Sequence, residues 1–344
     1  MKPLARDVRS NFMNAISTLI RRSVLPVLLA LSVPVCMAAE APKADSTSAY
    51  KPKRINKAIE LLEQGQPIYY AGSRGGYSEG KAMAQTWADV ILYGLEHDPV
   101  DLAKLREFMQ GLVDGGPTPS GHRTPAVIVN LPILGTDLET MKGGTWMIQQ
   151  ALAAGVHGVH LNRARSPEAV RLFVAACRYP IHQQAVGKGL EEGLRGMGSQ
   201  GYPSQIWGIS SKEYFERADV WPLNPEGELL LGIKIEDRHA LKNAKKSIMV
   251  PGIGFAESGP RDMGLSYGYT EGRADPPLPE EVVSASARVL QLCKLARIAY
   301  LDNVLYDTVE SRIDEGIRVV AVPNENTLMT VERGRRYTKR QMPW

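Results

Sequence analysis

The run ELLLGIKIED, residues 228–237, has the composition of a buried strand and ends in two carboxylates, Glu236 and Asp237. An ionised carboxylate is costly to bury unless a cation or hydrogen-bond donors meet it. A carboxylate at the end of an apolar run is therefore a candidate for chemistry. Similar junctions recur along the chain. GLEHDP carries Glu96, His97 and Asp98, AVIVNL ends near Asn130, VHGVHLNR brings His160, Asn162 and Arg163, and GFAESGPRDMG brings Glu257, Arg261 and Asp262. Several carboxylates and a histidine gathered at one mouth suit a hard divalent cation and a proton carrier. Plainer alternatives stand beside that reading. Glu236 could cap the helical pattern DRHALKNAKK, His97 could be a hydrogen-bonded loop histidine, and Arg261 and Asp262 could form a simple ion pair.

These junctions converge only if the runs they end are parallel neighbours. Candidate strands are PIYYAG (67–72), ADVILYG (88–94), AVIVNL (126–131), VHGVHL (156–161), ELLLGIKIE (228–236), SIMVPGIGF (247–255), RIAYLDNV (297–304) and IRVVAV (317–322). Between them lie helical patterns such as DLAKLREFMQGLVD, TWMIQQALAAG and SPEAVRLFVAACRYP, the last with Ser166 at the N-cap and Pro167 behind it. LPEEVVSASARVLQLCKLAR opens with proline and acids, as helices prefer. Eight near-continuous apolar runs, most followed by a helical pattern, predict an α/β fold, a (β/α)8 TIM barrel with its active site at the C-terminal strand ends. A doubly wound open sheet is the alternative. Residues 181–227, with the Gly-rich GKGLEEGLRGMGSQGYPSQIWGISS, interrupt the rhythm before the fifth strand, as functional loops do.

With 344 residues, 44% hydrophobic and 23% charged, the chain has ordinary globular composition. A net charge of +4 and the absence of a basic stripe interleaved with aromatics argue against nucleic acid as a partner. At the start, IRRSVLPVLLALSVPVCMAAEAPK has a basic segment, a short apolar stretch and small residues near Ala38, the layout of a signal peptide too short to span a membrane. The expected organisation is a signal peptide at 1–38, a flexible leader at 39–55 and one barrel domain at 56–340. The mature protein is expected to be periplasmic or secreted, with no stable membrane insertion. Cys177 and Cys293 fall in separate helical patterns and are not expected to pair. GGYSEGKA has the spacing of a phosphate-cradling loop but Ala82 where a Ser or Thr would hold magnesium. His157/His160 and His182/His239 lack zinc spacing. Tyr69, Tyr70, Tyr77, Trp207 and Tyr267 lie on or near the proposed mouth loops, where aromatics could line a pocket.

EHDPVDL, SPEAVRLFVAACRYP, GLRGMG, IKIEDRHALKN and GPRDMGLSYGY occur in an order that resembles the HpcH/HpaI aldolase family, across residues 68–337. The resemblance implies a metal-dependent class II aldolase on a (β/α)8 barrel, a homo-oligomer (trimer or hexamer) acting on a small-molecule acid. It matches Glu236 and Asp262 to the ligands of a divalent cation, Mg2+ or Mn2+ with Co2+ or Zn2+ as further candidates, and His97 to the residue that moves the proton. The backbone at Gly259 and Pro260 would help to seat the substrate carboxylate, and Asn130, Lys234 and Arg261 are candidate substrate contacts. Three positions depart from the family's pattern. Gly94 stands where an Asp would support the histidine, Asn130 where an Arg would contact the oxo group, and Lys234 where a Gln would precede the metal Glu. The implied activity is cleavage of a carbon–carbon bond in a hydroxylated or 2-oxo acid, releasing an aldehyde. The other class consistent with the departures is an exported, non-catalytic barrel that binds a small acid.

Overall fold

The computed structural model describes residues 50–270, 278–322 and 326–344. The expected signal peptide and residues 39–49 of the expected leader lie outside the described residues. In chain order the elements are α1 (Lys57–Glu63), β1 (Ile68–Ser73), α2 (Tyr77–Met83), β2 (Val90–Gly94), α3 (Leu102–Asp114), β3 (Ala126–Leu134), α4 (Leu138–Ala153), β4 (Gly158–Asn162) and α5 (Pro167–Cys177). Then come α6 (Gly201–Trp207), α7 (Ser211–Arg217), β5 (Val220–Trp221), β6 (Leu229–Lys234), α8 (Arg238–Ile248), β7 (Phe255–Glu257), α9 (Pro260–Ser266), α10 (Glu280–Ala296), β8 (Ala299–Asn303), α11 (Val309–Asp314), β9 (Ile317–Ala321) and α12 (Thr327–Tyr337).

All pairings are parallel. From β1 the order runs through β2, β3, β4, β6, β7, β8 and β9 and returns to β1, so eight strands close the expected (β/α)8 barrel. Two-residue β5 pairs with Leu229 and Leu230, the part of β6 that short β7 does not reach. Local chemistry sets the helix starts. Asp101 accepts from the Lys104 N–H at 2.9 Å, and the Ser166 hydroxyl from the Ala169 N–H at 3.2 Å.

One expected strand is corrected. SIMVPGIGF reads as β-branched and apolar, yet α8 continues through Ile248 and β7 begins only at Phe255. The burial of Ala240, Ala244 and Ile248, spaced by four, shows which period wins. Residues 181–227 also fold into more than loop. They hold α6 and α7, and Trp207 is buried against them, its indole donating to the Gly155 carbonyl at 2.9 Å.

Alternate strand residues point into the barrel. Ile68, Val90, Ile128, Leu230, Phe255, Leu301 and Val319 fill it, and Ala58, Ile59 and Leu61 of α1 join the same cluster, closing the N-terminal end. The outward set, including Val127, Val129, Leu229 and Leu231, packs beneath the helices.

His157, just before β4, gives a pH prediction. Its ring is buried, stacks on Trp207 with centroids 5.6 Å apart, and accepts the Val127 N–H at Nδ1 (3.1 Å). Burial, with His122 adding, pulls its pKa down to about 3, against about 6.5 in an unfolded chain. The neutral ring's contribution to stability is therefore complete above pH ~6.5 and falls as pH drops, by up to ~1.4 kcal/mol per unit. Urea denaturation should show wild type losing about 2 kcal/mol more than His157→Gln between pH 6.5 and 5. Parallel curves for the two proteins would sink this account.

Candidate active site

Toward the C-terminal ends of the strands the inward positions turn polar. Register explains which residues meet. Gly94 lies opposite Asn130, Asn130 opposite His160, and Lys234 opposite Glu257. Lys234 is the last residue of β6, and Glu236 follows two residues later at the entrance to α8.

Lys234 is held among carboxylates. Its ammonium donates to Glu96 Oε2 at 2.6 Å and lies 3.9 Å from both Glu236 and Glu257. The same Glu96 oxygen accepts from Asn130 Nδ2 at 2.5 Å. Burial opposes the charge on Lys234, but Glu257, Glu236 and Glu96 outweigh it and keep the ammonium protonated well above the ordinary lysine range.

Glu236 is 2% exposed. It does not cap α8. Asp237 does, accepting from the N–H groups of His239 (2.9 Å) and Ala240 (2.8 Å) and pairing with Arg165 at 2.8 Å. Glu236 Oε1 instead accepts the Arg163 N–H at 2.9 Å. Arg163 reaches this pose with φ of +47°, a left-handed turn that costs a non-glycine residue about 1–3 kcal/mol and tends to occur at functional sites. Burial pushes the Glu236 carboxyl up to about 8, with Lys234 opposing and the charges of Glu257, Asp262 and Glu96 adding.

The opposite wall is the turn from β7 into α9. Gly259 has φ of +51°, and a β-carbon there would sit 2.5 Å from Glu236 Cβ. Glycine is required for both reasons. Gly259→Ala should destabilise the protein by about 2 kcal/mol or more, from left-handed strain and the contact with Glu236. Thermal melting measures this, and a change within ~0.5 kcal/mol would mean that the turn adapts freely.

A cavity of about 520 Å³ opens here, lined by Tyr70, Lys234, Glu236, Glu257, the stretch from Gly259 to Asp262, Leu301 and Asn303. Asp302, also on the wall, is paired with Arg312. Of the residues singled out in the sequence, Lys234, Glu236, Gly259, Pro260, Arg261 and Asp262 line one space. Asn130 stands behind them, joined through Glu96. His97 is apart from the cavity wall, with its side chain 71% exposed and Nε2 3.6 Å from Glu96 Oε2. Of the five aromatics, Tyr70 lines this cavity. Trp207 is buried beneath helices, and Tyr69 lies in the core at the other end of the barrel.

The donor set fits a hard divalent cation. On the cavity wall Glu236, Glu257 and Asp262 stand with Lys234 and Arg261, and Glu96 is bound to Lys234 behind them; a bound cation would favour the ionised forms of Glu236 and Glu257 that burial opposes. Lys234 bonds to Glu96 and stays 3.9 Å from Glu236 Oε2, beyond hydrogen-bond range, while Glu236 lines the cavity. Among the described residues no three Asp, Glu, His or Cys side chains form a metal cage. An ion held by Glu236 and Asp262 would therefore have two protein carboxylates and would complete its shell with water and substrate oxygens, as magnesium does. Near Lys234, buried Asn130 Oδ1 and Asn162 Oδ1 have no partner among the described residues, as groups do that bind water or a substrate.

The fold and site define a parallel (β/α)8 barrel with a carboxylate-rich, lysine-centred mouth, and comparison with known proteins gives its family. The model of the HpcH/HpaI aldolase/citrate lyase family matches residues 124–328, and the chain belongs to that family. It is 24% identical over 273 residues to a hydroxypyruvate/pyruvate aldolase of Roseobacter denitrificans, covering 79% of this chain and 91% of that one. It is 26% identical to a 2-keto-3-deoxy-L-rhamnonate aldolase of Klebsiella pneumoniae over 58% of this chain and 67% of that one. Among solved structures, an HpcH/HpaI aldolase/citrate lyase family protein from Burkholderia cenocepacia superposes with a TM-score of 0.60 at 20% identity, covering 82% of this chain and 97% of that one. The protein is thus a carbon–carbon lyase of this family's class.

Proposed function

We propose that this protein is a divalent-metal-dependent aldolase that cleaves a hydroxylated 2-oxo acid and releases an aldehyde. The observation that carries the reading is buried Glu236, which lines the cavity beside Asp262 and whose ionised form is opposed by burial and neighbouring acids more than Lys234 supports it, a balance that a bound cation would reverse. Glu236 and Asp262 would hold the ion, whose Lewis acidity would polarise the substrate's oxo group. Lys234 supplies a fixed positive charge beside the oxygen on which negative charge develops, already oriented by Glu96 and costing no reorganisation. The free N–H groups after Pro260, with the Arg261 guanidinium, would seat the substrate carboxylate. His97 Nε2, at the solvent side of Glu96, would take the proton of the departing carbinol. The basic and apolar pattern at 1–38 supports a site of action outside the cytoplasm, and the family resemblance supports a trimer or hexamer.

The test is pyruvate and aldehyde release from 4-hydroxy-2-oxo acids, with and without a chelator and with Mg2+ or Mn2+ restored. Metal-restored cleavage is the expected result. A protein whose melting temperature ignores metal and which turns over none of these acids would not be this enzyme. The exposure of His97 and the engagement of Asn130 by Glu96 favour the second reading, a small-acid-binding barrel without catalysis. For that reading, calorimetry should show an oxo acid bound but not consumed.

A further inference from the structure

At the end of the barrel opposite the mouth, three buried cations surround one carboxylate. Asp89, immediately before β2, is 0% exposed, and Lys57 of α1, Arg335 of α12 and Arg340 beyond it are 1%, 1% and 6% exposed. Asp89 Oδ1 meets Lys57 at 3.2 Å, Arg335 at 3.1 Å and Arg340 at 2.8 Å, while Oδ2 takes Arg340 at 2.8 Å and the Tyr69 N–H at 3.0 Å. Both acceptor oxygens are therefore crowded. Among the described residues no other carboxylate lies within salt-bridge reach of these three cations. The guanidiniums also donate to backbone, Arg335 to the Trp87 carbonyl at 2.6 Å and Arg340 to that of Pro67. Carbonyls accept hydrogen bonds but cancel no charge.

Three donors remain unmet. Arg335 Nε, Arg340 Nε and the Tyr69 hydroxyl are buried with no partner among the described residues. They share one neighbourhood, since both guanidinium carbons lie 5.4 Å from the Tyr69 ring centroid. Buried charge is costly unless paired, and unmet buried donors are rare in folded proteins. Deprotonation of Lys57 would not remove the imbalance, because two arginines, which stay charged, would still face one carboxylate.

We infer that this cluster binds a small inorganic anion of the halide class, held by the Nε groups of Arg335 and Arg340, the Tyr69 hydroxyl and the ammonium of Lys57. A monatomic ion suits the space better than an oxyanion, because Tyr69 is closely packed: a β-carbon at Gly334 would lie 2.0 Å from its hydroxyl. Burial, with Arg335 and Arg340 adding and Asp89 opposing, lowers the pKa of Lys57. A bound anion would reverse that pressure. It would also tie the segment after α12 to the bases of β1 and β2, through residues that have no role in the proposed reaction, so this inference stands or falls independently of it.

The first experiment is thermal melting of the wild-type protein, freed of halide, in sodium gluconate against chloride and bromide at constant ionic strength. A saturable rise of a few degrees in either halide, above that in gluconate, is expected. In parallel, bromide-soaked wild-type crystals should show anomalous density between Arg335 Nε and Arg340 Nε, within about 3.5 Å of each. Arg340→Gln should abolish the halide-specific rise. If that variant fails to fold, the two wild-type measurements decide. Equal melting in all three salts, or bromide found at surface positions only, would overturn the inference.

Discussion

Lys234→Met destabilises the metal-free barrel by about 3–5 kcal/mol, the range for removing one partner from a buried charge cluster. Methionine matches lysine closely in length and fills the same channel, so little of this loss comes from packing. What disappears is the one ammonium shared by three carboxylates. Glu96 would keep the hydrogen bond from Asn130, but Glu236 and Glu257 would face each other and Asp262 with no internal cation between them. Lys234 is almost wholly buried, its side chain 11% exposed, so solvent screening removes only a small part of the effect. Urea denaturation in chelator measures the loss. Millimolar Mg2+ should return part of it, since a divalent ion would oppose the same repulsion. The double variant Glu96→Gln with Lys234→Met should be less destabilised than the sum of the singles, because each alone leaves the other charge unpaired. A loss below ~1 kcal/mol would mean the three carboxylates shed their charge without the lysine.

Much of that cluster could be read from spacing. Lys234 and Glu236 are two residues apart at the end of an apolar run, so alternation alone puts them on one face. The eight-strand rhythm was legible for the same reason. Glu257 was visible as a strand-end acid, but that it faces Lys234 depends on the stagger between β6 and β7, which a single chain's pattern does not reveal. Adjacent carboxylates were likewise undecidable. Glu236 and Asp237 are both plausible caps, and only the backbone direction at α8 assigns the cap to Asp237. The Arg163 contribution was out of reach, because its backbone N–H, not its side chain, holds Glu236. SIMVPGIGF misled because composition favours a strand while the buried spacing of Ala240, Ala244 and Ile248 continues a helix.

Three of the family-pattern departures now have a common physical context. Asn130, which the resemblance sets where an Arg is expected, donates to Glu96, and Glu96 in turn anchors Lys234. Gly94 leaves His97 without a partner three residues back, and the carboxylate within reach of its Nε2 is Glu96, at 3.6 Å. One glutamate thus meets Asn130, Lys234 and His97.

Glu236→Gln should separate function from stability more sharply than any other single change. The amide is nearly isosteric and keeps an oxygen for the Arg163 N–H, so the turn after β4 need not move. It replaces a carboxyl whose ionisation is opposed by burial and by Glu257 and Asp262, so metal-free stability should stay level or rise by about 1 kcal/mol. Metal-dependent stabilisation should vanish, because a neutral amide is a poor substitute for an anionic ligand to a hard cation. Turnover should fall by about 10²–10³, the typical cost of losing one preorganised electrostatic element at a reacting oxygen. Both kcat and kcat/KM should drop together, as they do when an interaction made in the transition state is removed. The informative outcome is the pairing of opposite signs. A residue that merely supports the fold would lose stability along with activity, whereas a carboxylate held at a cost for a cation loses activity and relaxes the protein. If Glu236→Gln melted several degrees lower yet kept its metal response, the ion would have to bind elsewhere, and Glu236 would be a structural acceptor for the strained turn at Arg163.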